Sequence, residues 1–172
     1  WELDAHNLRA EVHKSTGNYG GATTSYEAAA RLAEQQAGSA SDPATKARFA
    51  SLQRTASAAA GWVLVEKALE SKSQGDLDKA SGFFDSLAAK FGSEGEIVSA
   101  SENAQGVIKL ARDDAAGALE HFQRVEVLHF SSPTEVARSL YYQAQCWEKL
   151  GNAEQKAARL RDLKEYFKKS EW

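Results

Sequence analysis

Methionine is absent from this 172-residue chain, cysteine occurs once and proline twice. Each scarcity excludes something. Without methionine the sequence does not open on a natural start, so it is expected to be a processed product or a domain excised from a longer protein, and any signal or anchor ahead of Trp1 lies outside it. One cysteine allows no internal disulfide and is silent on redox compartment. No apolar run approaches the roughly 18 residues of a membrane span. The best, GWVLVEKAL, is broken by Glu66 and Lys67. A net charge of -3, with both signs spread along the chain, excludes a strongly basic nucleic-acid binder and a polyacidic tail. The length is that of one domain, so residues 1–172 are expected to form a single unit whose core needs no metal or disulfide staple. A soluble domain is expected. Its compartment stays open, with the bacterial periplasm or cell envelope as the place to look if a signal or anchor precedes Trp1.

What is present points to helix. Ala, Leu, Glu, Lys, Gln and Arg dominate, and no alternating β-branched run appears. Both prolines stand where a helix would begin: Asp42 can cap with Pro43 at the first helical position, and Ser132 can cap ahead of Pro133. Glu135 follows Ser132 by three residues and completes a capping box; Ser93 with Glu96 repeats it, and Asn152 with Gln155 is a weaker version. These signals predict helices over 2–15, 19–38, 43–74, 76–91, 95–111, 113–129, 133–150 and 152–170. Segment 43–74 is long, and Gly61 is placed to kink or split it. The small residues Ala56, Ala58, Ala59, Ala60 and Gly61 leave room for a neighbouring helix to approach closely.

Four stretches share one pattern. GNYGGATTSYEAA carries Gly17, Ala22 and Tyr26; GDLDKASGFFDSL carries Gly75, Ala80 and Phe84; RDDAAGALEHFQRV carries Asp113, Ala118 and Phe122; GNAEQKAARLRDL carries Gly151, Ala157 and Leu160. The four alanines are spaced by 58, 38 and 39 residues, and Ala157 lies one residue further from its glycine than the others do. Ahead of the last turn, LYYQAQCWEKLGN sets Leu140, Ala144, Trp147, Leu150 and Gly151 in register. NAQGVIKLARDD follows more loosely through Gly106 and Leu110, and LRAEVHKSTGN through Ala10 and Gly17. On these residues the chain resembles the tetratricopeptide repeat family, whose period is about 34 residues. The resemblance spans most of the chain, with units longer than the family norm and no match over 39–74. It implies an all-α array of antiparallel helix pairs (an α-solenoid of about eight helices), a single helix pair being unable to bury its apolar face alone.

Chemistry-bearing residues have bland explanations. Cys146 stands late in helix 133–150 with no histidine within a turn, so it is expected to be a small core residue rather than a nucleophile. His6 and His13, and His121 and His129, lack the tight spacing of metal ligands and are expected to be solvated helix histidines. The carboxylates of DLD at 76–78 and RDD at 112–114 suit helix starts. No phosphate-binding loop, dinucleotide fingerprint or nucleophile elbow occurs, so no catalytic, cofactor or metal residue is assigned and an enzyme is not expected. The last helix sets Leu160, Leu163 and Phe167 on one face beneath Lys156, Arg159, Arg161, Lys164, Lys168 and Lys169. It reads as a capping helix with a solvated outer face, the alternative being a docking patch for an acidic partner or anionic lipid.

The resemblance also implies a function: a non-enzymatic scaffold or adaptor that binds a protein or peptide in the groove lined by the first helix of each pair. Carried onto this chain, the groove residues are Asn7 and Glu11, Asn103, and Arg138, Tyr141 and Gln145. Tyr141 would give an aromatic contact, Asn103 and Gln145 amide hydrogen bonds, and Arg138 a carboxylate partner. The alternative is a self-assembling subunit of a larger complex, such as one of the cell envelope, with homo-oligomerisation through helix 43–74.

Overall fold

The structure, a computed structural model, describes residues 1–92, 94–128 and 132–167. Among the described residues it is all helix: α1 Glu2–Ser15, α2 Tyr19–Ser39, α3 Pro43–Ser71, α4 Gln74–Phe91, α5 Gly95–Ala111, α6 Ala115–Leu128, α7 Pro133–Lys149 and α8 Ala153–Tyr166. The expected caps at Asp42 and Asn152 form, with the Thr45 N–H donating to Asp42 Oδ2 at 2.8 Å and the Gln155 N–H to Asn152 Oδ1 at 3.0 Å. The Ser93 cap, His129 and the lysines at 168 and 169 lie outside the described residues.

Two boundaries differ from the sequence expectation for a local reason. Helix α3 stops at Ser71 because Lys72 takes a left-handed φ of 51°. Ser73 then starts α4, its Oγ accepting from the Asp76 N–H at 3.2 Å, so Gly75 falls inside the first turn of α4 and not in the turn before it. Helix α6 starts at Ala115 and not at 113, because Asp113 is left-handed at φ 62° and Asp114 is the cap, accepting from the Gly117 N–H at 2.8 Å. Gly61 does not split α3, which is one helix of 29 residues.

One turn occurs three times. Gly17, Asp113 and Gly151 are each left-handed, with φ of 73°, 62° and 74°. The next residue in each case, Asn18, Asp114 or Asn152, does two jobs. Its N–H closes the helix behind by donating to His13 O at 2.8 Å, Lys109 O at 3.0 Å or Trp147 O at 2.9 Å. Its side chain caps the helix ahead by accepting from the N–H three residues on, at 3.0, 2.8 and 3.0 Å.

The chain divides into two compact units, Trp1–Phe83 and Phe84–Trp172. In the first, α2 packs along α3 and α1 packs on α2. The seam is built of small residues: Ala22, Ala29 and Ala33 on α2 are fully buried, as is Ala60 on α3. This is the close approach that the alanine run on α3 anticipates. Ala10, Ala22, Tyr26, Ala60 and Val63 form its core cluster, with Tyr19, Ala59 and Phe83 packed on it.

In the second unit α5 is buried on nearly every side, packing against α6 and α7, and α7 carries α8. Large side chains fill this core, among them Phe84, Ile97, Ile108 and Phe122, all fully buried. Phe122 stacks on Tyr142 at 5.5 Å, and its ring lies 2.6 Å from where a Cβ on Gly106 would stand. Any side chain at 106 would therefore displace the ring. Val125, Val136, Ala137, Leu140 and Leu163 form a second cluster, with Tyr141 and Phe167 against it.

The fourth copy of the sequence pattern is not buried as the others are. Ala22, Ala80 and Ala118 are inaccessible and Tyr26, Phe84 and Phe122 buried, yet Ala157 is exposed and Leu160 is 41% exposed. Helix α8 packs chiefly on α7, so a narrower stripe suffices: Leu163 points in and Arg159 reaches Glu126.

Candidate interaction face on α7

Helix α7 is the most strongly two-faced element of the second unit. Val136, Ala137, Leu140, Ala144 and Cys146 are buried. Burial pushes the Cys146 thiol up to about 11 against the opposing pull of Lys149, which keeps it protonated at neutral pH and matches the core residue expected from its place in the helix.

Arg138, Tyr141 and Gln145 follow a three- and four-residue spacing and share one face of α7. The structure places them differently in depth. Tyr141 and Gln145 are half-buried, with the Tyr141 ring edge-on to Tyr142 at 5.2 Å. Arg138 is largely covered and pairs with Glu135 through Nη1 to Oε1 at 2.6 Å. Asn103, on α5, is fully buried. Its Nδ2 donates both hydrogens to Glu135, one to the backbone carbonyl at 2.8 Å and one to Oε2 at 2.7 Å. Its own carbonyl oxygen is buried without a hydrogen-bond partner among the described residues. Glu135 thus joins Asn103 and Arg138 in one buried network that ties the first turn of α7 to α5.

That network was not legible in the sequence. Glu135 there reads as the closing member of a capping box with Ser132, but its carboxylate is committed to Asn103 and Arg138. The Ser132 half of the box is formed only loosely, with the Glu135 N–H 3.5 Å from Ser132 Oγ. A second network escaped the sequence as well: Glu126 on α6 accepts from Gln143 Nε2 at 3.1 Å and from Arg159 Nη1 at 3.0 Å, joining α6, α7 and α8.

These pairings draw charge out of the expected basic patch on α8. Lys156 is paired with Glu148 at 2.5 Å, and Arg159 with Glu126 and with Asp162 at 3.3 Å. Exposed Arg161 and Lys164 remain on the described part of the helix.

In the first unit Asn7 and Glu11 lie one turn apart on α1. Asn7 is half-buried; Glu11 is exposed, accepts from the Tyr26 hydroxyl and pairs with Lys14 at 3.4 Å. Burial, with the Glu11 carboxylate second, raises the Tyr26 hydroxyl well above its ordinary value.

Two of the histidines, His13 and His121, are more engaged than expected. Asn18 Nδ2 is 3.1 Å from His13 Nδ1, and His121 Nδ1 is 2.7 Å from Glu102 Oε2 in a half-buried pair. No group of three metal-ligating side chains occurs among the described residues, and no helix among them is long and apolar enough to cross a membrane. Compared with known proteins, the chain matches no family model, no curated protein and no solved structure.

Proposed function

We propose that this chain is a non-enzymatic, tetratricopeptide-like helical-repeat domain that serves as a scaffold by binding a peptide or an extended protein segment. The observation that supports this most is the thrice-used turn. The same left-handed residue and the same double-duty cap join α1 to α2, α5 to α6 and α7 to α8, as repetition of one helix-pair unit requires. The binding face centres on Tyr141 and Gln145, with Asn7 as a candidate in the first unit. Tyr141 offers a rigid aromatic surface and Gln145 a paired donor and acceptor for a peptide backbone. Asn103 and Arg138 serve that face from beneath: the Asn103 amide N–H groups and an Arg138 N–H are committed to Glu135, so they hold α7 in place and leave the contact to their neighbours.

A displayed random-peptide library selected on the immobilised chain, followed by titration of the enriched peptides, tests this. Gln145→Arg should weaken those peptides at least about tenfold with the melting temperature unchanged, since Gln145 is only half-buried. Failure to enrich any peptide, or equal affinity for both proteins, would overturn the assignment.

A further inference from the structure

Helix α1 has two apolar faces, and α2 covers one of them. At 100° per residue, Leu3, Asn7, Ala10 and Lys14 share a side, with Ala10 buried in the cluster that α2 completes and the other three partly buried. On the opposite side Trp1, Ala5, Leu8 and Val12 recur with spacings of four, three and four, and all are exposed, Leu8 by 68% and Val12 by 62%. That is the stripe of a coiled-coil seam, Ala5 and Val12 taking the a positions and Trp1 and Leu8 the d positions.

The flanking charges say what fits there. Glu2 and Arg9 take the e positions and Asp4 and Glu11 the g positions. In a parallel pair, a g residue faces the e residue five positions on in the other helix, which sets Asp4 against Arg9 of a second copy twice over by symmetry. In an antiparallel pair like positions meet, so in the register that joins Trp1 to Val12 and Ala5 to Leu8, Asp4 would face Glu11 and Glu2 would face Arg9. The first arrangement holds only opposite-charge pairs, whereas the second sets two like-charge pairs against two opposite ones. A β-branched a residue, Val12, with leucine at d also favours a two-stranded parallel coil. Helix α1 is already held helical by α2, so association does not have to order it.

We infer that the exposed face of α1 is a self-association surface: two copies of this chain pair through α1 in parallel register about a two-fold axis. Two heptads make a small interface, so the dimer dissociates on dilution. This surface differs from the α7 face and stands whether or not that face binds peptides.

Sedimentation of the 18.7 kDa chain from about 10 µM to about 1 mM should show the mass rising toward twice that value. Leu8→Glu should weaken the dimer at least about tenfold with little change in helicity or melting temperature, because Leu8 is mostly exposed in the single chain. Asp4→Arg and Arg9→Asp should each weaken it, and the double exchange should restore it. Orientation is read by oxidising Ala5→Cys, which links two copies through residue 5 only in the parallel pair; the native Cys146 is buried and does not compete. A monomer at every concentration, a dimer indifferent to Leu8→Glu, or one that neither cross-links through residue 5 nor recovers on the charge exchange would overturn the assignment.

Discussion

The two units reach the same end, helices held side by side, with opposite materials. The α2–α3 seam is lined by Ala22, Ala29, Ala33 and Ala60, so the helices gain contact by approaching closely and each side chain contributes little. The core around α5 is filled by Phe84, Ile97, Ile108 and Phe122, and at Gly106 the Phe122 ring closes directly on backbone. The first unit is therefore vulnerable chiefly to added volume, and the second to lost volume as well. An alanine seam has almost nothing to delete, and a core of rings has almost nowhere to insert.

The largest effect that sharpens this contrast is Phe122→Ala, expected to cost about 3–5 kcal/mol because a fully buried ring leaves a cavity under Gly106. Denaturant unfolding measures it, and a loss below about 1 kcal/mol would mean the second core collapses freely and is not close-packed. Gly106→Ala should also cost about 1–3 kcal/mol in the natural background, yet much less beside Phe122→Ala, since the clash is with that ring. Additive losses would show that the glycine matters for some other reason.

The counterpart in the first unit is Ala33→Leu, with Ala33 wholly buried in the α2 seam. Overpacking should cost about 1–3 kcal/mol, whereas Ala33→Gly should cost only about the 1 kcal/mol of helix propensity that glycine forfeits. If leucine were the better tolerated of the two, the seam would have slack and the contrast between the units would fail.

How far the sequence carried these conclusions depends on how local each signal is. The Asp42–Pro43 and Asn152 caps were legible because all the atoms concerned lie within four residues of each other. The small alanines and aromatics at 22, 26, 80, 84, 118 and 122 were legible because a fixed offset on a helix puts them on a fixed face, and all six are buried. The pattern failed at Ala157 and Leu160, which already depart from the shared offsets, and burial there is decided by how many neighbours α8 has, which no offset encodes. Glu135 was misplaced for a related reason: its partner Asn103 is 32 residues away in sequence, and a capping-box pattern hides a long-range bond behind a short-range one. The exposed stripe on α1 was in the sequence too, but whether Leu8 or Leu3 faces α2 becomes visible only when Ala10 is seen buried.

A smaller effect separates the three turns. Gly17 and Gly151 occupy their left-handed conformation without side-chain crowding, so alanine at either should cost about 1–2 kcal/mol. Asp113 holds the same conformation with a side chain, offset by an exposed pair with Lys149 that is worth little. Asp113→Gly is therefore expected to raise the melting temperature, making the third turn like the other two. A fall would show that the Lys149 pair, and not backbone conformation, decides the residue at that turn.

The smallest effect concerns pH, and each core carries its own group to report it. Cys146 lies within the second unit and titrates at about 11 because burial disfavours the thiolate. Its folded value stands above the ordinary thiol value of about 8.5, so folding gains from the protonated thiol at any lower pH. That gain is lost as pH rises from about 8.5 to about 11. Tyr26, in the alanine-lined unit, is raised by burial and by Glu11, so its contribution is intact up to the ordinary tyrosine value of 10.0 and lost only above it. Thiol labelling at pH 8 should thus be slow and should track opening of the fold, accelerating in Phe122→Ala. Fast labelling of the natural chain at pH 8, with a rate that rises with thiolate fraction and not with denaturant, would show that the ring-filled core admits solvent at Cys146 and would remove the distinction between it and the alanine seam.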